Sequence, residues 1–397
     1  MRTILNPIQN SIFSLLLITA AAVSTAMARP PELEPIKVNF KPGAKYADEN
    51  RMFQGVPGLA RSPNGRLWAT WYGGGITECK ENYVMLVTSG DDGKTWSKVR
   101  LVLDPRPKTV RAFDPCIWLD PEGRLWLFWA QAKAHVKNAA TWAITTDNPD
   151  DPQPTWSKPR RLFDGIMMNK PIVLKGGAWL FPAAIWNTDG SSRVIKSENK
   201  GRSFELLGKA NVPPKLRDCD EEMIIERKQD LWMLLRTRDG ISESFSTDEG
   251  KTWTDSVKSK IPHPITRFFI RRLASGNLLL VKHGPMDKTT GRSQLMAFLS
   301  KDDGKSWEGG LMLDRRDKVS YPDGFQAPDG TIYIIYDFER HEDKRILMST
   351  FTEKDVLAQK NVSGKMRYRV LINHATGVNP RYKKKLDKTK VPRKAKK

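Results

Sequence analysis

Ser89-Gly-Asp-Asp-Gly-Lys-Thr-Trp96 is the stretch from which the fold can be read, because it recurs. It returns as Ser246-Thr-Asp-Glu-Gly-Lys-Thr-Trp253 and Ser300-Lys-Asp-Asp-Gly-Lys-Ser-Trp307, and in weaker form as Ser197-Glu-Asn-Lys-Gly-Arg-Ser-Phe204. The third-place Asp can accept backbone N–H bonds inside a tight turn, and the Gly two residues on can take positive φ. The closing aromatic is an apolar anchor that folds the turn back onto a sheet. Strand-like runs at 83–88, 240–245 and 294–299 lead into three of the copies, so each reads as a hairpin turn between two strands. A decayed copy spans 145–156, where Pro and Asp enlarge the loop. The steps are then roughly 50 residues, a period that signals propellers and other repeat architectures.

A second element interleaves with the first: a turn, usually ending in Gly, then an apolar strand. It occurs six times, beginning at Asn64-Gly-Arg-Leu-Trp, Glu122-Gly-Arg-Leu-Trp, Gly176-Gly-Ala-Trp, Gln229-Asp-Leu-Trp, Ser275-Gly-Asn-Leu and Asp329-Gly-Thr-Ile. Six units of about four strands make an all-β, six-bladed β-propeller. Its many aromatics are expected to pack between blades rather than to form a sugar platform. Closure of the last blade is expected from pairing of residues near 36–40 with late ones. One short helical turn is expected over 352–358.

The 397 residues are 39% apolar and 28% charged, an ordinary globular composition for one propeller domain. Residues 1–28 read as a signal peptide: Arg2, an apolar core over 12–23, and Ala26-Met27-Ala28 as cleavage site. Export to a periplasm or beyond is the expectation, with the propeller over 29–375. Hydropathy gives no spanning helix after the start. Cys79, Cys116 and Cys219 make no disulfide framework, and free thiols near the core are expected. The net charge is +21, and the stretch from Arg381 to Lys397 holds ten basic residues against one Asp. That makes residues 376–397 a basic, disordered tail, either simply solvated or drawn to a polyanion such as an acidic glycan. With export and no recognition motif, nucleic acid is not expected as a partner. No His/Cys cluster has metal-ligand spacing and no dinucleotide or P-loop fingerprint appears, so neither metal nor cofactor is expected.

The recurring turn resembles the Asp-box, or BNR repeat, of the sialidase (neuraminidase) superfamily, over roughly residues 50–350. The resemblance implies a sialidase-like propeller whose boxes sit at the blade periphery, away from the active site. It also implies three arginines on a substrate carboxylate, a Tyr nucleophile activated by Glu, and an acidic acid/base residue. Arg292, in Gly291-Arg-Ser-Gln-Leu, is similar to the third arginine, and Arg236, in Leu-Leu-Arg-Thr-Arg238, to the second. Glu221 resembles the activating Glu, with Glu222 as a one-residue alternative. Tyr321, in Ser320-Tyr-Pro-Asp, resembles the nucleophile. Such chemistry suits these residue types. A Tyr hydroxyl is a weak nucleophile that needs a carboxylate to take its proton. Its neutrality suits an anomeric carbon that carries a carboxylate, an exception to the two-carboxylate scheme. Arg supplies bidentate geometry to a carboxylate.

Two positions depart from the pattern. The first arginine belongs in a Phe/Tyr-Arg-Ile-Pro motif, and here the stretch is Phe53-Gln-Gly-Val-Pro57, with Gln54 or Gly55 in its place and Arg51 on the other side of Phe53. The acid/base Asp belongs in the loop before the first box, where Glu78 stands by count. The altered clamp leaves another acidic sugar, or a neutral one, open. Arg111, Asp114 and Arg267 are further substrate-binding candidates, with Lys170, Arg271 and His283 behind them. The expectation is an exported, monomeric, exo-acting glycoside hydrolase on a glycan substrate. A polysaccharide lyase, a hydrolase of a non-sialic sugar and a non-catalytic glycan-binding propeller are the alternatives. Convergence of Glu78, Glu221, Arg236, Arg292 and Tyr321 on one pocket is the criterion for catalysis.

Overall fold

A computed structural model of the protein describes residues 30–107, 109–133 and 136–380. The expected signal peptide and the run of basic residues from 381 onward lie outside the described residues. The chain forms six four-stranded antiparallel sheets, each built from strands consecutive in sequence, over 54–103, 110–164, 172–210, 220–258, 269–317 and 319–374. These are the six blades. Their first strands, Gln54–Arg61, Val110–Leu119, Ile172–Val173, Asp220–Glu226, Phe269–Arg272 and Val319–Gln326, pack against one another around the axis.

The six turn-plus-apolar runs are the second strands: Leu67–Gly73, Leu125–Lys133, Trp179–Ala184, Leu231–Thr237, Leu278–His283 and Ile332–Phe338. A strand walled by a blade on each face has no solvent side, which is why these runs are apolar almost continuously. Their aromatics lie between blades as expected. Trp118 of the second blade meets Trp179 of the third edge-on at 4.9 Å, and Phe128 meets Phe181 at 6.2 Å.

The boxes join the third and fourth strands of their blades. In the first, Asp91 accepts from the Thr95 N–H at 2.9 Å and from its hydroxyl at 2.7 Å, while the Ser89 hydroxyl accepts from the Gly93 N–H at 2.9 Å. The same set forms around Asp248 and Asp302. Asn199 keeps it in the weaker copy, accepting from the Ser203 N–H at 2.8 Å. The box glycines have positive φ and no room for a side chain. A Cβ on Gly304 would lie 2.5 Å from Trp232 of the preceding blade, and one on Gly201 2.7 Å from Trp126. On the first blade Gly93 meets Met348 of the sixth in the same way. Each box is therefore a contact between neighbouring blades as well as a turn.

Closure of the ring departs from expectation. The fourth strand of the last blade is Arg367–His374, which follows the short helix Glu353–Ala358 in sequence, so no early segment is needed there. Asn39 instead bridges to Val102 at the outer edge of the first blade. The first and last blades are joined by side chains and loops. Gln54 donates to the Lys344 carbonyl at 2.6 Å and to Asn373 at 3.0 Å, and accepts from Trp71 at 2.9 Å. Buried Arg51 donates to the Tyr46 carbonyl and to Asn373, both at 2.7 Å. The helix forms where expected, with a capping box between Thr352 and Asp355. All three cysteines are free, with only Cys116 fully buried.

Candidate functional site

Four of the six blades carry a distinctive position at the entry of the inner strand. In four blades the inner strand is bulged at its entry: between Gly55 and Gly58, Phe113 and Cys116, Asp220 and Met223, and Ser320 and Asp323. Each bulge holds a residue at positive φ, namely Val56 at 55°, Asp114 at 45°, Glu221 at 44° and Tyr321 at 54°. A non-glycine residue there costs about 1–3 kcal/mol and persists only where its surroundings hold it. The bulge redirects a side chain that ordinary pleating would send into the blade. A Pro follows Val56, Asp114, Tyr321 and also Lys170, as a bulge tolerates a missing ladder N–H.

Tyr321 is the centre of the site. It is 5% exposed, and its hydroxyl donates to Glu221 Oε1 at 3.3 Å and accepts from Arg236 Nη1 at 3.0 Å. Arg236 also ion-pairs with Glu221 and, at 2.8 Å, with Asp218. Burial, reinforced by the Glu221 charge, pushes the phenol far above its usual range against the pull of Arg236, Arg340 and Arg292. The hydroxyl is therefore neutral, and its proton already points at a carboxylate. Of the two neighbouring carboxylates, Glu221 is the one that meets the Tyr321 hydroxyl. Glu222 points away and is buried, and burial with Asp220 beside it raises its pKa well above the carboxylate range.

Two more guanidinium groups face the same ring. Arg292 lies with Cζ 5.5 Å from the Tyr321 ring centre and Arg340 with Cζ at 4.9 Å. Both line a cleft of ≈ 460 Å³ between the fifth and sixth blades, with Thr290, Lys318, Ser320 and His341. Arg292 donates to the Ile265 carbonyl at 3.2 Å, and Arg340 Nη1 to Glu78 at 2.7 Å. Arg340 escaped the sequence reading. It lies in the loop after the second strand of the last blade, outside both repeated elements.

The acids divide by charge state. Burial alone would raise the Glu78 carboxyl, but Arg340, Arg111 and hydrogen bonds from Tyr72 and Arg340 outweigh it and hold it below its usual value. Asp114 is pushed up to about 7 by burial, with Arg111 opposing and Glu78 and Glu221 adding. So the carboxyl that carries a proton near neutrality is Asp114, and Glu78 stays ionised on Arg340.

A family model described as a BNR repeat-like domain matches residues 65–334, more than half of the chain. The chain belongs to the BNR-repeat sialidase superfamily. Among curated proteins, a sialidase of Bacteroides fragilis (strain YCH46) is 23% identical over 343 residues, 74% of this chain and 62% of the relative. The chain thus spans about three fifths of that relative's length. Among solved structures, the Hadza microbial sialidase Hz136 aligns with TM-score 0.62 at 19% identity, over 78% of this chain and 67% of the other. A leech intramolecular trans-sialidase complexed with 2,7-anhydro-Neu5Ac aligns with TM-score 0.62 at 13% identity, over 82% and 71%. At these identities the structural matches speak for the fold.

The remaining candidates of this BNR-repeat propeller fall into two groups. Arg111 stands over the Phe113 ring at 3.9 Å and the Tyr72 ring at 5.7 Å, beside Asp114 and Glu78. Arg267 is fully buried with Nε and Nη1 unpartnered among the described residues, and meets Asp323 at 3.4 Å. Lys170 ion-pairs with the same Asp323 below the site. Lys170 and Arg271 border a separate depression of ≈ 400 Å³, with Arg61, Trp118 and Phe325. That depression carries none of the groups around Tyr321. His283 is buried against the Val319 carbonyl and His263 and supports the core. At the departed first-arginine position, Gln54 and Arg51 are both occupied in the seam between the first and last blades.

Proposed function

We propose that this BNR-repeat propeller is an exported, exo-acting glycoside hydrolase that releases a terminal sugar from glycans through a tyrosyl intermediate. The observation that carries the reading is the Tyr321–Glu221–Arg236 triad: a neutral, buried phenol donating to a carboxylate at 3.3 Å, with a guanidinium at 3.0 Å on the same oxygen. Tyr321 Oη attacks the anomeric carbon as its proton passes to Glu221, so the nucleophile is never a free anion. The glycosidic oxygen departs with a proton from Asp114, the acid with a pKa matched to neutral pH. Water then attacks the glycosyl–tyrosine bond, losing a proton to the Asp114 carboxylate, and Glu221 returns its proton to the leaving phenol oxygen. Two displacements give retention of configuration. The sialidases among its relatives support this reaction class, and the apolar leader at 12–23 supports export.

The test is a panel of aryl glycosides, including sialosides and uronides, followed by proton NMR of the first-formed anomer. Retention, with loss of turnover in Tyr321→Phe, is the expected result. Inversion, or a Tyr321→Phe protein as active as the parent, rejects the mechanism. Release of an unsaturated product absorbing in the ultraviolet points to the lyase alternative instead.

A further inference from the structure

We propose that the depression at the far end of the propeller axis from Tyr321 is an oxyanion-binding site, which takes a sulfate or phosphate group through Arg61 and Arg271. This goes beyond the glycosidase reading and does not depend on it.

Strand direction gives the position. Tyr321, Glu221 and Asp114 stand at the entries of their inner strands. The depression of ≈ 400 Å³ is bordered by the opposite ends: Arg61, Leu119, Arg272 and Gln326 close the strands Gln54–Arg61, Val110–Leu119, Phe269–Arg272 and Val319–Gln326. From Tyr321 to Gln326 the strand runs roughly 16 Å. A ligand held there meets none of the groups around the phenol.

The charge of the depression is one-sided. Four cations border it, Arg61, Lys170, Arg271 and Arg272, and among the described residues no Asp or Glu does. Two of the four are satisfied: Lys170 ion-pairs with Asp323, and Arg272 donates to Asp303 at 2.7 Å and to the Glu226 carbonyl at 2.9 Å. The other two are not. Arg61 is half-buried and has no hydrogen-bond or ion-pair partner among the described residues. Arg271 directs one donor to the Pro171 carbonyl at 2.8 Å. The carboxylate that acts on it is Asp323, which already serves Lys170, Arg267 at 3.4 Å and the Leu59 N–H at 2.9 Å. Three cations thus draw on one carboxylate, and burial pulls the Arg271 pKa below its usual value.

A guanidinium offers five N–H donors in a planar fork that suits two oxygens of one anion. Two such forks call for more acceptor oxygens than the two of a carboxylate, and a tetrahedral sulfate or phosphate supplies them. The rest of the rim suits an anion carried on a ring. Leu119, Phe325, Ala327 and Pro328 are apolar, and Gln326 turns its Oε1 to the Ala274 N–H at 2.8 Å, which leaves its NH2 to donate. The volume of ≈ 400 Å³ exceeds a bare ion and matches small-molecule pockets of about 300–1,000 Å³. The chemical class is a tetrahedral oxyanion, free or as the monoester of a sugar.

The experiment is calorimetry on the full-length parent and on Arg61→Gln, Arg271→Gln, Lys228→Gln and Arg292→Gln, at fixed ionic strength. The probes are sodium sulfate, sodium phosphate, N-acetylglucosamine 6-sulfate and unsulfated N-acetylglucosamine. Lys228 is an exposed cation outside the depression and reports diffuse attraction; Arg292 reports binding beside the phenol. Saturable binding of the anions, and none of the unsulfated sugar, is expected. Arg61→Gln and Arg271→Gln should each weaken it at least about ten-fold, and the two control variants less than about two-fold. Ten-fold tighter binding of the sugar sulfate than of sulfate assigns the site to a glycan ester, and equal binding assigns it to the free ion; either upholds the proposal. Melting curves report folding, and if Arg271→Gln does not fold, the half-buried Arg61 decides. The proposal is overturned by an absence of heat with all three anions or by an equal loss in Lys228→Gln. Loss in Arg292→Gln with Arg61→Gln and Arg271→Gln unchanged puts the anion beside Tyr321 and overturns it as well.

Discussion

Glu221 Oε1 lies 3.3 Å from the Tyr321 hydroxyl, and both residues reach that contact from a bulge at positive φ, in the fourth and sixth blades. The pair is held by backbone that is strained on both sides, so the geometry is set before any ligand arrives. Tyr321→Phe and Glu221→Gln are each expected to lower kcat by about a thousand-fold or more. Glu222→Gln changes a carboxyl that burial already keeps neutral, and should leave steady-state rates within about two-fold. Parallel kinetics on the three proteins check this, and a Glu222→Gln loss matching Glu221→Gln would reassign the base.

Leaving-group dependence separates the two candidate acids. A residue that protonates the departing oxygen matters most when that oxygen is basic. Asp114→Asn is therefore expected to be about a hundred-fold slower on an alkyl glycoside and much less affected on a nitrophenyl glycoside. Glu78→Gln should show no such split, because Glu78 is an ionised partner of Arg340. The reverse pattern returns the acid role to Glu78.

The pH profile follows from the same group. In the proposed reaction Asp114 acts in its protonated form, and burial pushes it up to about 7, so kcat/KM should fall as pH rises through that value. The parent profile is measured against Asp114→Asn, in which this limb should vanish. Folding carries a matching sign. A carboxyl raised in the folded state binds its proton more tightly there, so this contribution weakens between the unfolded value near 4 and about 7.

Acid should loosen the blade turns in the opposite sense. Hydrogen bonds from Thr252 and Ser306 hold Asp248 and Asp302 down at about 2, and those from Thr95 lower Asp91 further. Depressed groups stabilise above their unfolded pKa and lose that stabilisation as pH falls from about 4 towards 2. Melting temperatures across this range should drop more steeply in the parent than in an Asp248→Asn/Asp302→Asn protein. Parallel slopes would show that these turns contribute nothing to acid sensitivity.

Gly304→Ala tests the turns as blade contacts. The added methyl meets Trp232 at 2.5 Å, on a backbone at φ 89°. A loss of about 2 kcal/mol in denaturant unfolding is expected. Gly330, also at positive φ but with nothing within 4 Å, is the control for backbone strain alone, and its Ala variant should lose only about 1 kcal/mol.

Much of this was legible in the residues themselves. Boxes and turn-led apolar strands repeat because every blade solves the same packing problem, so blade number and the third-to-fourth-strand hairpins could be counted. Tyr321, Glu221, Arg236 and Arg292 were legible through resemblance, and they converge. The entry positions of four of the six inner strands carry a signal of their own, the Pro after Val56, Asp114, Lys170 and Tyr321. Arg340 had none. Its stem packs in the space left by the missing side chain at Gly55, at the other end of the chain, and a missing side chain leaves no mark in a linear pattern. Closure was misjudged because the outer strand Arg367–His374 follows a helix and repeats neither element.

The seam between the first and last blades has a consequence for biosynthesis. Gly55 is among the first propeller residues to be made and Arg340 among the last, and the stem of Arg340 packs in the space beside Gly55. A nascent chain therefore lacks this contact, and the one between Glu221 and Tyr321, until its sixth blade has been made. The proposed activity would in effect be a readout of completed assembly, and a premature stop before the sixth blade yields a chain without Tyr321 or Arg340, whatever its earlier blades have managed to fold.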